Sequence, residues 1–401
     1  MPRLTPPPPS AVLLLASAIA LTSLPLLRTA PNRLLSGQGQ SLFQVLAAAG
    51  PLWTAGAAAL AATGGALLLA LWRQQRRGAV FTLAWVAAAV WGLAALAGHF
   101  ASAQGQISEG LARTSLSAGF WLGLLTAWLL AQDSWRQLQA RPWQAALYWG
   151  LLLAGLALLL VNGALDALSS LKEYANRQEE FWRALLQHLR IIALTTGLTV
   201  VTGLPLGVAL HRRPRWAARV FPLLSLVQTV PSIALFGLLM ALLAWLGTLI
   251  PVLPAWGIQG IGLAPAVLAL TFYSLLPLVR STYEGLSNLP SALSESGRAM
   301  GLSSTQLLWQ VELPLAAPVI LSSLKVMLVQ TIGLAAVAAL IGAGGLGALM
   351  FEGLFSSALD LVILAVVPIV VLAWLAEALF LVLSTLCLLY TSDAADERSS
   401  V

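Results

Sequence analysis

The sequence predicts an all-α, polytopic membrane protein of about ten spanning helices, and three observations predict it. Of its 401 residues, 59% are hydrophobic and only 9% are charged, whereas a soluble domain carries about 25% charged residues. Apolar runs of about 20 residues, the length that crosses a bilayer, recur along the chain. Arginines gather between those runs rather than inside them, which is the orientation signal of a membrane protein.

The runs fall at roughly 10–27, 52–72, 79–99, 118–132, 145–162, 191–210, 221–247, 261–279, 319–341 and 361–384. The fourth is the shortest. The first follows Arg3 and has a rival reading as a secretion signal cut after Ala30. Arg73, Arg76 and Arg77 follow the second run, Arg136 and Arg141 the fourth, and Arg212, Arg213, Arg215 and Arg219 the sixth. All three clusters follow even-numbered runs, so one orientation places every cluster and both termini in the cytoplasm. The mixed-charge stretch with Lys172, Glu173, Glu179 and Glu180 then lies outside.

Four segments result. Residues 1–162 hold five spans built mainly of Leu, Ala, Gly and Trp, with no recognisable chemistry, and 163–186 form a polar periplasmic or interfacial linker. Residues 187–388 hold five more spans with longer and more specific connections, and 389–401 are a polar tail that reads as a disordered end.

Several function classes are excluded. The excess of 21 Lys+Arg over 15 Asp+Glu is spread in short clusters between spans, which argues against nucleic acid. Cys387 is the sole cysteine, so neither an internal disulfide nor a cysteine metal cluster is possible. His99, His188 and His211 are scattered without metal-site spacing and read as structural. Neither a His/Glu metal motif nor a Ser–His pair suggests an intramembrane enzyme. No Walker A sequence occurs, so any ATP-driven step belongs to another subunit.

Four constellations stand out. Gly342, Gly344, Gly345 and Gly347 include a G-x-G-x-x-G spacing, but they follow a membrane span where a nucleotide fold needs a strand. They predict a tight turn with close helix packing. The stretch 291–318 predicts a cytoplasmic helix–turn–helix elbow: a helix from Ser291, a break at Gly301, then a short helix 305–312 capped by Ser303 or Ser304 and ended by Pro314. Pro231 inside the seventh run predicts a kink. Gln228, Thr229, Ser232 and Tyr273 near it predict either a pathway lining or polar packing around that kink. Lys325 and Glu377 lie in the ninth and tenth runs at similar depth, which predicts an ion pair, with snorkelling of Lys325 as the alternative.

The elbow carries a family resemblance. Permeases of ABC importers have a cytoplasmic motif of E-A-A, three residues, Gly, nine residues, then I-x-L-P. Here it reads Glu295-Ser296-Gly297, Gly301, then Val311-Glu312-Leu313-Pro314, with intact spacing and small-for-small or aliphatic replacements. The segments 226–239, 272–286 and 336–347 resemble the glycine betaine, carnitine and choline branch, although methionine and taurine permeases share parts of them. The resemblance implies a five-helix type I permease domain preceded by five extra helices, which either resemble the extensions of long osmoprotectant permeases or are an unrelated fusion. It also implies a cytoplasmic ABC ATPase holding ATP and Mg²⁺ and docking on the elbow, with no cofactor in this chain. The other implied partners are a periplasmic solute-binding protein, a second permease subunit (self or paralogue) and membrane lipid, in a bacterial inner membrane. A carrier working alone is the rival reading; it calls for more intramembrane charge and an internal repeat.

Overall fold

The computed structural model describes residues 9–32, 37–72, 76–108, 111–139 and 141–399; Arg3 and Arg73 lie outside them. The ten apolar runs are mainly helical, but the first passes into strand after Ser23 and the seventh is interrupted at Val230 and Pro231. Among the described residues seven helices are long and apolar enough to cross a membrane, beside the shorter apolar helices Pro9–Ser23 and Leu346–Phe355. The chain divides into two units between Asn176 and Arg177.

The first unit contains α1 (Pro9–Ser23), β1 (Pro25–Ala30), β2 (Gln38–Ser41), α2 (Leu42–Ala49), α3 (Pro51–Trp72), α4 (Arg76–Ile107), β3 (Arg113–Leu116), α5 (Ala118–Leu138), α6 (Pro142–Val161) and α7 (Ser169–Asn176). The strands are an addition to the helical expectation. They form a three-stranded antiparallel sheet in the order β2-β1-β3, and its central strand lies at the end of the first apolar run. Pro25 disfavours helix at Leu24, so the run leaves helix early. Leu26 and Leu27 are fully buried with Val45, Leu96, Phe100 and Phe120. Ser41 caps α2 through a reciprocal pair with Gln44. Half-buried aromatic donors tie the helices together: Trp85 donates to the Leu60 carbonyl, Trp91 to Leu152 and Tyr148 to Leu83, each at 3.0 Å.

The expected linker 163–186 is not one element. Its first part belongs to the first unit: Arg113 pairs with the buried Glu173 at 3.5 Å, and Lys172 Nζ donates to the Ala112 carbonyl at 3.2 Å. Burial, and then the neighbouring Arg113, lower the Lys172 pKa. Its last part, from Gln178, is already the first turns of a long helix of the second unit.

That unit contains α8 (Gln178–Arg212), α9 (Pro214–Thr229), α10 (Ser232–Leu249), α11 (Val252–Ala255), α12 (Leu263–Ser287), α13 (Ser291–Ala299), α14 (Ser304–Leu307), a π-helical turn (Leu308–Glu312), α15 (Leu313–Val337), a 3₁₀ turn (Ala338–Ile341), α16 (Leu346–Phe355) and α17 (Leu359–Ser399). α12 is its centre, packed by α8, α9, α10 and α15. Its Ala266, Ala269 and Leu270 join Ile191, Phe236, Ile332 and Ala335 in the main core. Where the composition of 389–401 reads as a disordered end, the backbone of α17 stays helical through Ser399.

Candidate functional site

The elbow folds because its two limbs are locked at small residues. Gly297 on α13 is buried, and a Cβ there would approach Leu307 Cδ1 to 2.6 Å. The Leu302 N–H donates to the Gly297 carbonyl at 3.1 Å, and Gly301 turns the chain at a φ of +85°, in the left-handed region that favours glycine. Ser303 is the cap of α14: the Gln306 N–H donates to Ser303 Oγ at 3.3 Å, and the Ser303 N–H donates to Gln306 Oε1 at 2.9 Å. Ser294 Oγ donates to Glu312 Oε1 at 3.2 Å and links the two limbs. Glu295 and Ser296 are exposed, as are Met300 and Trp309, while Val311, Leu313 and Pro314 are half-buried.

The second limb does not end at Pro314, as its sequence predicts. The helix widens through Leu308–Glu312, the Leu313 N–H reaching the Leu308 carbonyl five residues back, and runs on into α15. Pro314 occupies the first turn of α15, and the wide turn absorbs its missing N–H without a break. The elbow's second limb and a core spanning helix are therefore one continuous rod, Ser304–Ile341.

The seventh apolar run is likewise two helices rather than one kinked helix. Pro231 holds Val230 in extended backbone (φ −73°, ψ 128°), which ends α9 at Thr229, and α10 starts at Ser232. Two side chains close the gap. The Tyr273 hydroxyl donates to the Val230 carbonyl, and Gln228 Nε2 donates to the Tyr273 carbonyl at 2.9 Å. That acceptor is free because Pro277, four residues on in α12, has no N–H to offer it. Tyr273 is buried; Gln228, Thr229 and Pro231 are exposed and Ser232 half-buried. Thr229 turns its hydroxyl back to the Leu226 carbonyl at 2.7 Å.

Lys325 Nζ on α15 donates to Glu377 Oε1 on α17 at 3.0 Å. The side chains remain 35% and 60% exposed, so the pair sits on the unit's surface rather than in its core. At the far end of α15, Gly342, Gly344 and Gly345 have φ of 80°, 75° and 79° and turn the chain from the 3₁₀ turn into α16. The Ala343 carbonyl of this turn accepts from Gln187 Nε2 at 2.9 Å. A Cβ on Gly347 would lie 1.9 Å from the Ala336 carbonyl oxygen.

Residues 200–391 match the family model described as "Binding-protein-dependent transport system inner membrane component", and residues 8–171 match "ABC transporter permease YehY, N-terminal domain". The osmoprotectant import permease protein OsmW of Salmonella typhimurium is 42% identical over 202 residues, covering 49% of this chain and 89% of the relative. The chain belongs to the binding-protein-dependent transport permeases. The carnitine transport permease protein OpuCD of Listeria monocytogenes is 35% identical, covering 54% of this chain and 90% of its own. The glycine betaine/carnitine/choline permease protein OpuCD of Bacillus subtilis is 33% identical, covering 50% and 83%.

This permease also has a feature that its sequence does not announce. A cleft of about 510 Å³ lies between α12 and α15, lined by Pro277, Ser281, Pro318, Ser322 and Ser323. Ser323 Oγ donates to the Pro277 carbonyl at 2.9 Å. The one available signal was a proline in the eighth apolar run and another just before the ninth, since each removes a backbone donor from its helix.

Proposed function

We propose that the chain is the membrane subunit of an ATP-driven importer for a compatible solute bearing a quaternary ammonium group, such as glycine betaine, carnitine or choline. The solute class rests on the names of the relatives above. In this reading a periplasmic binding protein selects and delivers the solute. A second permease copy or a paralogue completes the pathway, and a cytoplasmic ABC ATPase supplies the drive with its own ATP and Mg²⁺. The assembly sits in the inner membrane with both termini of this chain in the cytoplasm, which follows from its arginine clusters.

The observation that carries the reading is the continuity of the elbow's second limb with α15. An ATPase gripping exposed Trp309 on that rod, and Glu295 and Met300 on the first limb tied to it by the Ser294–Glu312 hydrogen bond, would push on a rod whose far part packs on α12. Movement of α15 against α12 would reshape the serine-bearing cleft between them. Gln228, Thr229 and Ser232 would line the route at the α9–α10 break, with buried Tyr273 holding the break behind them. They are uncharged, so the route presents a cationic solute with hydroxyl and amide groups and no fixed positive charge there.

Affinity capture of the detergent-solubilised protein, followed by mass spectrometry, tests the coupling. An ABC ATPase is expected with wild type and is expected to be lost with Glu295→Ala combined with Gly297→Leu, the latter forcing a branched side chain between the limbs at Leu307. If wild type captures no ATPase under mild conditions, the elbow is not a coupling site and the lone-carrier reading gains.

A further inference from the structure

The first unit contains a cavity for which the transport reading has no use. It is a half-open cleft of about 750 Å³ between α1, α2, α3 and α4, within the roughly 300–1,000 Å³ of sites that hold small molecules. Its lining is Leu, Ala, Gly, Trp, Ser and Thr, with no charged side chain. A lining of this kind offers water few hydrogen-bond partners. Both Trp53 and Gly65 line it, and the twelve residue steps from one to the other rise about 18 Å along α3. One leaflet of a bilayer has a hydrocarbon depth of about 15 Å, half of the core thickness.

Small residues on neighbouring spans ordinarily let the helix backbones close on one another. Here Gly56 and Gly65 line the cavity and have no atom within 4 Å of where a Cβ would sit, so the glycines face empty space. The result is a slot about as long as one leaflet is deep, narrow and apolar, in helices whose solvent is lipid. We propose that this slot binds one acyl chain of a membrane phospholipid. The headgroup stays outside, at the end marked by Thr22 and by Trp53, whose ring stacks on His99 with centroids 5.4 Å apart; tryptophan favours the membrane interface. A free fatty acid is the poorer occupant, because its carboxylate finds no cation in the lining.

The test uses the full-length protein in nanodiscs of phosphatidylethanolamine and phosphatidylglycerol. These are doped either with phosphatidylethanolamine carrying a diazirine on one acyl chain or with a free fatty acid carrying the same group. After photolysis, mass spectrometry maps the adducts. The phospholipid probe is expected to label 53–65 and 85–96 preferentially. Gly56→Leu/Gly65→Leu, which fills the slot, is expected to lose that label, while Gly150→Leu on α6, where a Cβ also meets open space, keeps it. Equal labelling of α6 and the slot in wild type overturns the proposal without any variant that must fold. So does labelling by the fatty acid alone, or persistence of the label in a filled variant that elutes as a single species.

Discussion

Replacing Gly347 by alanine adds one methyl group where, of the second unit's described glycines, the backbone of a neighbouring helix comes nearest. The new Cβ would lie 1.9 Å from the Ala336 oxygen, 2.7 Å from its carbonyl carbon and 2.8 Å from its Cα. All three are backbone atoms, so no change of rotamer relieves the overlap. Ordinary contact begins at 3.4 Å, and α16 must therefore retreat from α15 by about 1.5 Å. Overpacking of this sort costs about 1–3 kcal/mol, and a backbone collision belongs at the upper end. The gain of roughly 0.5–1 kcal/mol from replacing a helical glycine offsets part of that, leaving a net loss of about 2 kcal/mol. Gly333→Ala in α15 is the control, because no atom lies within 4 Å of its Cβ position and only the gain applies. The two variants should thus differ by about 3 kcal/mol, roughly a hundredfold in the unfolding equilibrium. Denaturation in mixed micelles, followed through the fluorescence of the 15 tryptophans, reads the difference. A Gly347→Ala protein as stable as Gly333→Ala would refute the claim that this glycine serves helix approach.

Two further outcomes are expected. Lys325→Met or Glu377→Gln alone should destabilise the protein in micelles more than the two together, since an unpaired charge in a span costs about 2.5–3.5 kcal/mol. A double-mutant cycle should show coupling of about 1 kcal/mol or more, whereas zero coupling would make the 3.0 Å contact incidental. Tyr273→Phe should leave the Val230 carbonyl unsatisfied at a cost of about 1–3 kcal/mol. Hydrogen exchange should then quicken at Val230 and Leu235, whose N–H groups donate to the Val227 and Pro231 carbonyls at the break, and stay unchanged in the middle of α12; no change at the α9–α10 break would mean that the phenol does not hold it.

The sequence by itself determined the membrane class, the mainly helical character of the ten apolar runs, and the elbow's turn. Those features depend on local chemistry: runs of apolar side chains, a glycine able to take a positive φ at 301, and a serine cap at 303. The juxtaposition of Lys325 with Glu377 was also readable, because depth along two antiparallel spans is simple counting from their ends. What happens at a proline was not readable. Pro231 separates two helices, Pro314 is absorbed by a π-helical turn, and Pro277 stays inside α12 while its orphaned acceptor is met by Gln228. Each proline removes the same donor, and whether the helix breaks, widens or continues depends on which neighbour can satisfy the freed groups. The small sheet follows the same logic, since Leu26 and Leu27 read as the end of a span until a partner strand and the surrounding core are in place. Long-range partners are fixed only when the chain packs, so the division of 163–186 at Asn176, the cleft between α12 and α15 and the slot beside α3 were decisions of the tertiary structure.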